Sequence, residues 1–276
     1  ARALIPNVEK TLLYFGKQKI NFRFGMGLAY LTKHFDPLHN PLHNAVGSHW
    51  NAGVLLEINA LRQLNPHWQI KSGFNLIHYS NGTAKLPNFG YNSFSFMLGL
   101  SYLPKAVLLT DYHYYDVPKK RKNKWGAQLW GSLAYSERGV PNGPAYPVYA
   151  ISLAANYYLH KVNRLYFGME YEYNKGIYEF GKHTFAFDTE REAKWRASRL
   201  QVFVADELLF GDWSVSILLG AYAGNKFYLL PLPIYNKIIM RYYLPFSHKV
   251  RIHIGAYLKS HIIIAEYLGF GVGGAF

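Results

Sequence analysis

Large apolar residues alternate with small or polar residues in runs of about 10 to 13 residues along nearly the whole chain. In the run 20–31, one face would carry Ile20, Phe22, Phe24, Met26, Leu28 and Tyr30. The opposite face would carry small and polar side chains, which are unsuited to a core. Alternation with period 2 is typical of β-strands that have one apolar face. The chain is therefore predicted to be all-β.

The length of these runs separates two kinds of all-β protein. Alternation alone fits a soluble sandwich and a membrane barrel equally well, but globular strands average about 5 to 6 residues, whereas tilted strands of about 10 residues span a bilayer. About twelve runs are found, at 20–31, 49–62, 67–79, 91–103, 125–136, 147–158, 164–174, 198–209, 213–223, 233–243, 249–259 and 262–275. An even number suits a bacterial barrel. We predict a closed antiparallel transmembrane outer-membrane β-barrel of about 12 strands.

Composition agrees with a barrel and excludes other classes. Hydrophobic residues make up 50% of the chain, yet the mean hydropathy is only -0.09 and no long stretch is free of polar residues. A bundle of membrane-spanning helices is therefore excluded. Aromatic residues reach 17%, which excludes a disordered chain, and they gather near the ends of the runs, as at Trp50, Trp125 and Trp213. Such positions are typical of the aromatic girdles of membrane barrels.

We predict one domain over residues 1–276, with 1–19 as a periplasmic N-terminal segment. The connections between runs alternate between longer and shorter, as expected of outer loops and periplasmic turns. The connection 104–124 breaks this order, and its Val107-Leu108-Leu109 could add a strand. The start of the sequence favours a chain whose signal peptide has been removed. The end, with Phe276 after alternating apolar residues, resembles the C-terminal assembly signal of outer-membrane barrels.

Charge and residue types limit the chemistry. The chain has no Cys, which excludes disulfides, thiolate metal sites and cysteine nucleophiles. The formal net charge of +14 makes an anionic partner plausible. The basic run Lys119–Lys124 is interpreted as a solvated loop, because no aromatic platform accompanies it, so no nucleic-acid partner is expected. No metal site is expected either, and the histidines of the first long connection are interpreted as exposed loop residues: His34, His39, His43 and His49.

Two acidic residues of the run 164–174 have a spacing that could indicate a carboxylate pair for glycoside chemistry. Glu170 and Glu172 share one face of their run, but lining a barrel lumen beside basic residues such as Arg251 is the simpler interpretation. Glu266 is predicted on the lipid-facing side of the last run by its parity with Ile264 and Leu268.

The most informative stretch is 76–96, which begins at the end of the third run. His78 and Ser80 are two residues apart, so both side chains leave the strand on the face that also carries Phe74 and Leu76. That face would meet lipid, where a histidine and a serine have no evident packing purpose. At the end of the strand, they are well placed to meet the acyl chain of a lipid.

Here the sequence resembles the lipid A 3-O-deacylase (PagL-like) family of bacterial outer-membrane barrels. The motif is His78-Tyr79-Ser80-Asn81-Gly82, followed by Lys85, Pro87-Asn88 and Gly90. The resemblance implies that Ser80 is the nucleophile and His78 its general base. It also implies an oxyanion site made of Asn88 and the backbone amides near Asn81 and Gly82.

One position departs from the family. A Glu that orients the histidine is expected at the position of Asn92. An Asn can accept a hydrogen bond from the imidazole and hold its tautomer, but it cannot stabilise imidazolium by charge.

The resemblance predicts an esterase that removes a fatty acyl chain from lipid A, with its active-site end facing the cell exterior and without a cofactor. Its substrate is lipopolysaccharide, whose phosphates would be held by Lys85, Lys33, Lys182 and Arg196. Two alternatives stay open. A catalytically weak barrel could act as an accessory subunit associated with other outer-membrane proteins, which Asn92 supports. A pore would need an open lumen, and bulky residues such as Trp130 favour a filled one.

Overall fold

The computed structural model describes residues 1–106, 124–139, 141–160, 162–224, 233–246, 250–262 and 264–276. Within these ranges the protein is built of antiparallel strands and two short helices, and no helix is long and apolar enough to cross a membrane. The chain forms two compact units. One comprises residues 1–33, 49–80 and 89–119, and the other comprises 34–48, 81–88 and 120–276.

The first unit is a six-stranded sheet. Its strands are β1 (Arg2–Leu4), β2 (Asn7–Phe15), β3 (Gln18–Tyr30), β4 (Trp50–Asn65), β5 (Trp68–Ser80) and β6 (Tyr91–Tyr102). The order is β1-β3-β4-β5-β6, and β2 pairs with β3 beside β1. All these pairs are antiparallel, and β5 pairs with β6 along nearly its whole length.

The two faces of this sheet differ as the alternation predicts. One face is apolar and exposed, and its side chains include Phe74, Phe94, Phe96, Leu98 and Leu100. The other face carries a network of charged groups. There Arg23 contacts Glu9 at 2.8 Å and Glu57 at 3.4 Å, and Lys71 lies 3.2 Å from both carboxylates. An exposed apolar face opposite a paired polar face is the pattern of a membrane barrel wall.

The second unit is a closed eight-stranded barrel. Its strands are β7 (Trp125–Glu137), β8 (Ala145–His160), β9 (Asn163–Asn174), β10 (Ser198–Phe210), β11 (Trp213–Tyr222), β12 (Ile234–Tyr243), β13 (Arg251–His261) and β14 (Ile264–Ala275). Each strand pairs with its neighbour in sequence, and β14 pairs with β7 to close the ring. Two helices, α1 (Lys175–Thr184) and α2 (Glu190–Ala197), connect β9 to β10.

The helices replace part of what the sequence predicts only as a long connection. Alternation ends at Asn174, whose side chain accepts a hydrogen bond from the Ile177 N–H and caps α1. Thr189 caps α2 in the same way through the Glu192 N–H. The helices lie at the end of the barrel where β9 ends and β10 begins. The two-residue turn 211–212 lies at the other end, so these two connections follow the predicted alternation of long and short. The connection between β13 and β14 does not follow it, because His261 pairs with Ile264 at the helix end, where a long connection is predicted.

Aromatic pairs across neighbouring strands mark the strand ends. Trp125 and Tyr157 have ring centroids 4.9 Å apart, and Trp213 lies at the same distance from Tyr242. In the first unit, Trp68 and Tyr102 are 5.1 Å apart. Pairs of this kind add about 0.5 to 1.5 kcal/mol beyond the area they bury, and their positions at strand ends agree with the predicted girdles.

Paired charges and aromatic rings fill the barrel interior. The Glu172 carboxylate contacts Arg199 and lies 2.5 Å from Lys259 Nζ, and Lys237 Nζ lies 2.5 Å from Glu170. One pocket of the interior, beside Trp130, has a volume of ≈ 20 Å³. The predicted positions of Glu170 and Glu172 in the lumen are therefore confirmed.

Two predicted side-chain positions are wrong in detail. Arg251 does not pair with the lumen glutamates; it lies 3.7 Å from Asp212 instead. Glu266 does not face lipid, because its side chain is buried and lies 2.8 Å from Arg199. The register between β13 and β14 shifts at Lys259 and Ser260, and such a shift changes which residues of β14 point inward.

Arg199 is a buried cation that forms ion pairs with two buried carboxylates, those of Glu172 and Glu266. We expect Arg199→Ala to lower the free energy of unfolding by about 3 to 5 kcal/mol, because it leaves buried carboxylates short of positive charge. Urea unfolding of the purified barrel in lipid would measure this loss. Arg251→Ala is the control, since its ion pair with Asp212 is partly exposed and should contribute at most about 1 kcal/mol. Equal losses in both variants would contradict the expectation.

All twelve predicted runs correspond to strands, but their arrangement differs from the prediction. A single closed barrel of 12 strands is not confirmed, because only the eight strands β7 to β14 form a closed ring. The alternation identifies strands without specifying which edges pair. The segment 1–19 contains β1 and β2, which the sequence did not reveal. Val107–Leu109 and Lys119–Lys122 lie outside the described residues. The domain boundaries stay a prediction.

Candidate active site

His78 and Asn92 lie opposite each other at the neighbouring ends of β5 and β6. Their side chains are hydrogen-bonded, with 2.7 Å between His78 Nδ1 and Asn92 Oδ1. An amide oxygen can only accept, so Nδ1 carries the proton and donates it to this bond. The neutral imidazole therefore has an unprotonated Nε2, which is the form that a general base requires.

The surroundings of this pair are apolar. Phe74 and Phe96 form a ring pair with centroids 5.3 Å apart on the same face of the sheet, two register positions from Leu76. His78 and Asn92 thus continue a lipid-facing row to the end of the strands, as the sequence predicts.

Gly90 fits closely against the imidazole. Its backbone has a φ of +81°, and a Cβ built on it would lie 2.4 Å from His78 Cε1. No other residue type leaves this space open, and L-residues rarely adopt this φ. Gly90, which the motif includes, is therefore required where it stands because the His78 ring occupies the volume of a side chain.

Ser80 ends β5 and pairs in register with Ala52 of β4. It lies two positions after His78 and so shares its face of the strand. The residue is only 5% exposed. A serine and a histidine are the residue types used together for nucleophilic attack on esters.

The loop that follows Ser80, residues 81–88, belongs to the second unit. The Asn81 N–H donates to Asn88 Oδ1 at 2.9 Å. The Asn81 side chain is buried and donates through Nδ2 to the Ser48 hydroxyl at 3.1 Å and to the Lys85 carbonyl at 2.9 Å. The predicted oxyanion residues Asn81 and Asn88 are thus brought together, and the bond fixes Asn88 with its Nδ2 group at the opposite end of the amide from Asn81.

Gly82 is required in this loop for two reasons. Its φ of +58° lies in the left-handed region, and an added Cβ would lie 2.4 Å from the backbone nitrogen of Leu268. Thr83 has a similar φ of 63° although it is β-branched, which is costly. Its hydroxyl lies 2.9 Å from Ser136 Oγ and donates to the Glu266 carbonyl at 2.5 Å, so bonds to the barrel hold the strained conformation.

Glu137 contacts the loop 81–88, and no sequence pattern predicts this contact. Its carboxylate is buried at the end of β7 and accepts hydrogen bonds from the Leu86 N–H and, at 3.2 Å, from Lys85 Nζ. Its own N–H donates to the Thr83 carbonyl at 2.8 Å. It is about fifty residues from the motif in sequence, and nothing in the alternation of β7 distinguishes it.

The four predicted phosphate-binding residues occupy different surroundings. Lys33 is exposed in the first unit, and Lys182 is exposed in the last turn of α1 in the second unit. Lys85 is engaged by Glu137, and Arg196 lies 3.1 Å from Glu192 within α2. Of the three in the second unit, Lys182 is the one whose ammonium group makes no ion pair that the structure records.

The segment 34–48 carries histidines, but the described residues contain no group of three or more His, Cys, Asp or Glu that could hold a metal ion. His39 Nδ1 lies 3.1 Å from Asp36 Oδ1. The backbone N–H groups of His39 and Leu38 donate to the same oxygen, and these bonds lower the pKa of Asp36.

The sequence model of the family "Lipid A 3-O-deacylase (PagL)" matches residues 4–101. The model of the "Acyloxyacyl hydrolase, C-terminal domain" matches residues 123–276, which is more than half of the chain. The chain belongs to the PagL-type lipid A deacylase family. The expected resemblance is thereby confirmed, and the first PagL match contains the whole motif from His78 to Asn92.

For this PagL-family chain, lipid A as substrate and an outer-membrane location fit both the family and the barrel. No curated protein matches the chain. Among solved structures, the Pseudomonas putida toluene transporter TodX is similar over 98% of this chain and 81% of its own length, with 8% identity. The TM-score of 0.24 is too low for that likeness to support any statement about fold or function.

Proposed function

We propose that this protein hydrolyses a fatty acyl ester of lipid A, with Ser80 as nucleophile, His78 as general base and Asn92 as the residue that orients the imidazole. The observation that carries the proposal is the 2.7 Å hydrogen bond between His78 Nδ1 and Asn92 Oδ1, at the end of an apolar sheet face and within the family motif. It leaves Nε2 as the basic nitrogen, which is what activation of a serine needs.

The reaction proceeds in two steps. His78 Nε2 takes the proton of the Ser80 hydroxyl while the oxygen attacks the ester carbonyl of lipid A, and the same proton then passes to the departing sugar oxygen. The acyl-enzyme that forms reacts with a water molecule, which His78 deprotonates. The products are a free fatty acid and a lipid A with one acyl chain fewer.

Negative charge on the carbonyl oxygen needs hydrogen-bond donors in both steps. Asn88 and the backbone amides near Asn81 and Gly82 are proposed to supply them. The Asn81 N–H donates to Asn88 Oδ1, which holds the Asn88 side chain beside the backbone of this segment. Removing one such donor typically costs about 10²- to 10³-fold in kcat.

Basic residues are proposed to hold the phosphates of lipid A, with the active-site end facing the cell exterior. Lys33 and Lys182 are exposed and available for this role. Lys85, whose side chain is 41% exposed, would bind a phosphate while it keeps its contact with Glu137, and Arg196 would first exchange its contact with Glu192 for a phosphate. The accessory-subunit alternative drew its support from Asn92, and that support weakens because Asn92 contacts the imidazole.

Mass spectrometry of lipid A incubated with the purified protein in detergent tests the proposal. Loss of one acyl chain from the substrate, with release of the matching fatty acid, is the expected result. Intact lipid A, under conditions in which an established deacylase removes a chain, would disprove it.

A substitution at Asn92 is predicted to raise the rate of hydrolysis, whereas most active-site substitutions lower it. We expect Asn92→Asp to raise kcat by about 10-fold or more, because an aspartate has the same length and adds the charge that stabilises imidazolium. Asn92→Leu should lower kcat, since the leucine cannot hold the Nδ1 tautomer. Initial rates of fatty acid release would measure both effects. An Asn92→Asp variant slower than wild type, with an unchanged fold, would contradict the assigned role.

A further inference from the structure

The loop 81–88 is attached to the barrel wall of the second unit by bonds from two strands that close that barrel. From β7, Glu137 accepts hydrogen bonds from the Leu86 N–H and Lys85 Nζ, and its N–H donates to the Thr83 carbonyl. From β14, the Glu266 carbonyl accepts a hydrogen bond from the Thr83 hydroxyl. These bonds act on both halves of the loop.

Glu137 is a buried carboxylate at the end of a strand. Its side chain is buried, and burying a carboxylate is costly unless cations and N–H groups compensate it. Both compensating groups come from the loop, namely the Lys85 ammonium and the Leu86 N–H. The carboxylate keeps these hydrogen bonds only while the loop holds this conformation, so the two depend on each other.

The same loop carries the residues assigned to the oxyanion site. The Asn81 side chain accepts from the Lys85 N–H at 3.3 Å and donates to the Lys85 carbonyl, so the position of Lys85 determines that of Asn81. Asn81 in turn donates its N–H to Asn88. A chain of bonds thus runs from Glu137 through Lys85 and Asn81 to Asn88.

We propose that Glu137 is a positioning residue of the hydrolase, which holds the loop 81–88 in the conformation that sets Asn81 and Asn88, two of the residues proposed for the oxyanion site. This inference rests on the proposed function. The strands whose residues hold the loop are β7 and β14. A donor misplaced by about 1 Å can cost about 10²-fold in rate.

Two substitutions at Glu137 separate its contacts. Glu137→Gln keeps an oxygen that can accept from the Leu86 N–H but removes the charge that faces Lys85, whereas Glu137→Ala removes both. We expect kcat for lipid A hydrolysis to fall by about 10-fold in the first and about 100-fold in the second. KM should change by less than about 3-fold, because oxyanion stabilisation acts in the transition state only. A purely structural role would not give this graded loss of kcat at constant KM.

Thr83 provides an independent pair of variants if Glu137→Ala fails to fold. Thr83→Ala removes the hydroxyl that bonds to Ser136 and to the Glu266 carbonyl, whereas Thr83→Ser keeps it. We expect a lower kcat in Thr83→Ala and recovery of most of it in Thr83→Ser. Glu170→Gln is the matched control, because Glu170 is a buried barrel carboxylate paired with Lys237 that makes no recorded contact with the loop. It should keep the wild-type kcat.

Hydrogen exchange of the full-length protein gives a readout that does not depend on activity. The amides of residues 81–86 should exchange faster in Glu137→Ala than in wild type or Glu170→Gln. Unchanged exchange and unchanged kcat in Glu137→Ala would overturn the inference, as would an equal loss of kcat in Glu170→Gln. If the wild-type protein leaves lipid A intact, the proposed function fails, and the exchange data alone then decide whether Glu137 holds the loop.

Discussion

Ser80→Ala and His78→Ala should each abolish hydrolysis of lipid A, with a loss of about 10⁴- to 10⁶-fold in kcat. Knocking out the nucleophile or the base of a serine hydrolase typically costs this much, because the two side chains act as a unit. The double variant should therefore be hardly slower than either single one. Mass spectrometry of lipid A, with quantified fatty acid release, measures the effect over several decades of rate.

Folding of these variants needs its own control. Ser80 is buried at the end of β5, but an alanine fits its space and lies opposite Ala52, so the sheet should form normally. Circular dichroism and resistance of the detergent-solubilised barrel to protease would verify this. A well-folded Ser80→Ala protein that still removes an acyl chain would show that another group is the nucleophile.

Gly90→Ala should lower kcat by about 10²- to 10³-fold with little loss of stability. The added Cβ would lie 2.4 Å from His78 Cε1, and the imidazole is the movable end of a side chain, so the ring should turn away from Asn92. The free energy of unfolding should fall by only about 1 kcal/mol, the typical penalty of an alanine at positive φ. Enzyme rates combined with thermal unfolding of the same samples would separate the two effects.

Gly99→Ala is the matched control for that experiment. Gly99 lies on β6, the strand that begins next to Gly90, and a Cβ built on it meets no atom within 4 Å. It should leave both the rate and the stability near wild type. If Gly90→Ala behaved like Gly99→Ala, the close fit around His78 would have no catalytic meaning.

The sequence predicts the strands well because each of them is visible in a local pattern. Alternation identified every strand from β3 to β14, usually to within two or three residues. The strand β2 escaped because apolar residues at 12, 13 and 15 interrupt its alternation. The closure of eight strands was not predictable, since pairing between β14 and β7 joins residues far apart in sequence and depends on edges that look alike locally.

In the candidate site too, residues of a local motif were predictable and residues that depend on distant contacts were not. His78, Ser80 and Asn92 were predicted because they lie within a short motif, and the structure brings His78 and Asn92 into contact. Glu137 was not predicted, because its role depends on a contact between the loop 81–88 and a strand that begins more than thirty residues later. The inward position of Glu266 was missed because a single register shift reverses the parity from which it was inferred.

The pairing of β14 with β7 also bears on the order in which this protein assembles. The loop 81–88 is bonded to Glu137 at the end of β7 and to the Glu266 carbonyl of β14, and these two strands become neighbours only when the ring closes. Pairings so distant in sequence form late and slowly during folding. The loop therefore reaches its full set of bonds only when the ring closes, and we expect the proposed hydrolysis to require the completed barrel.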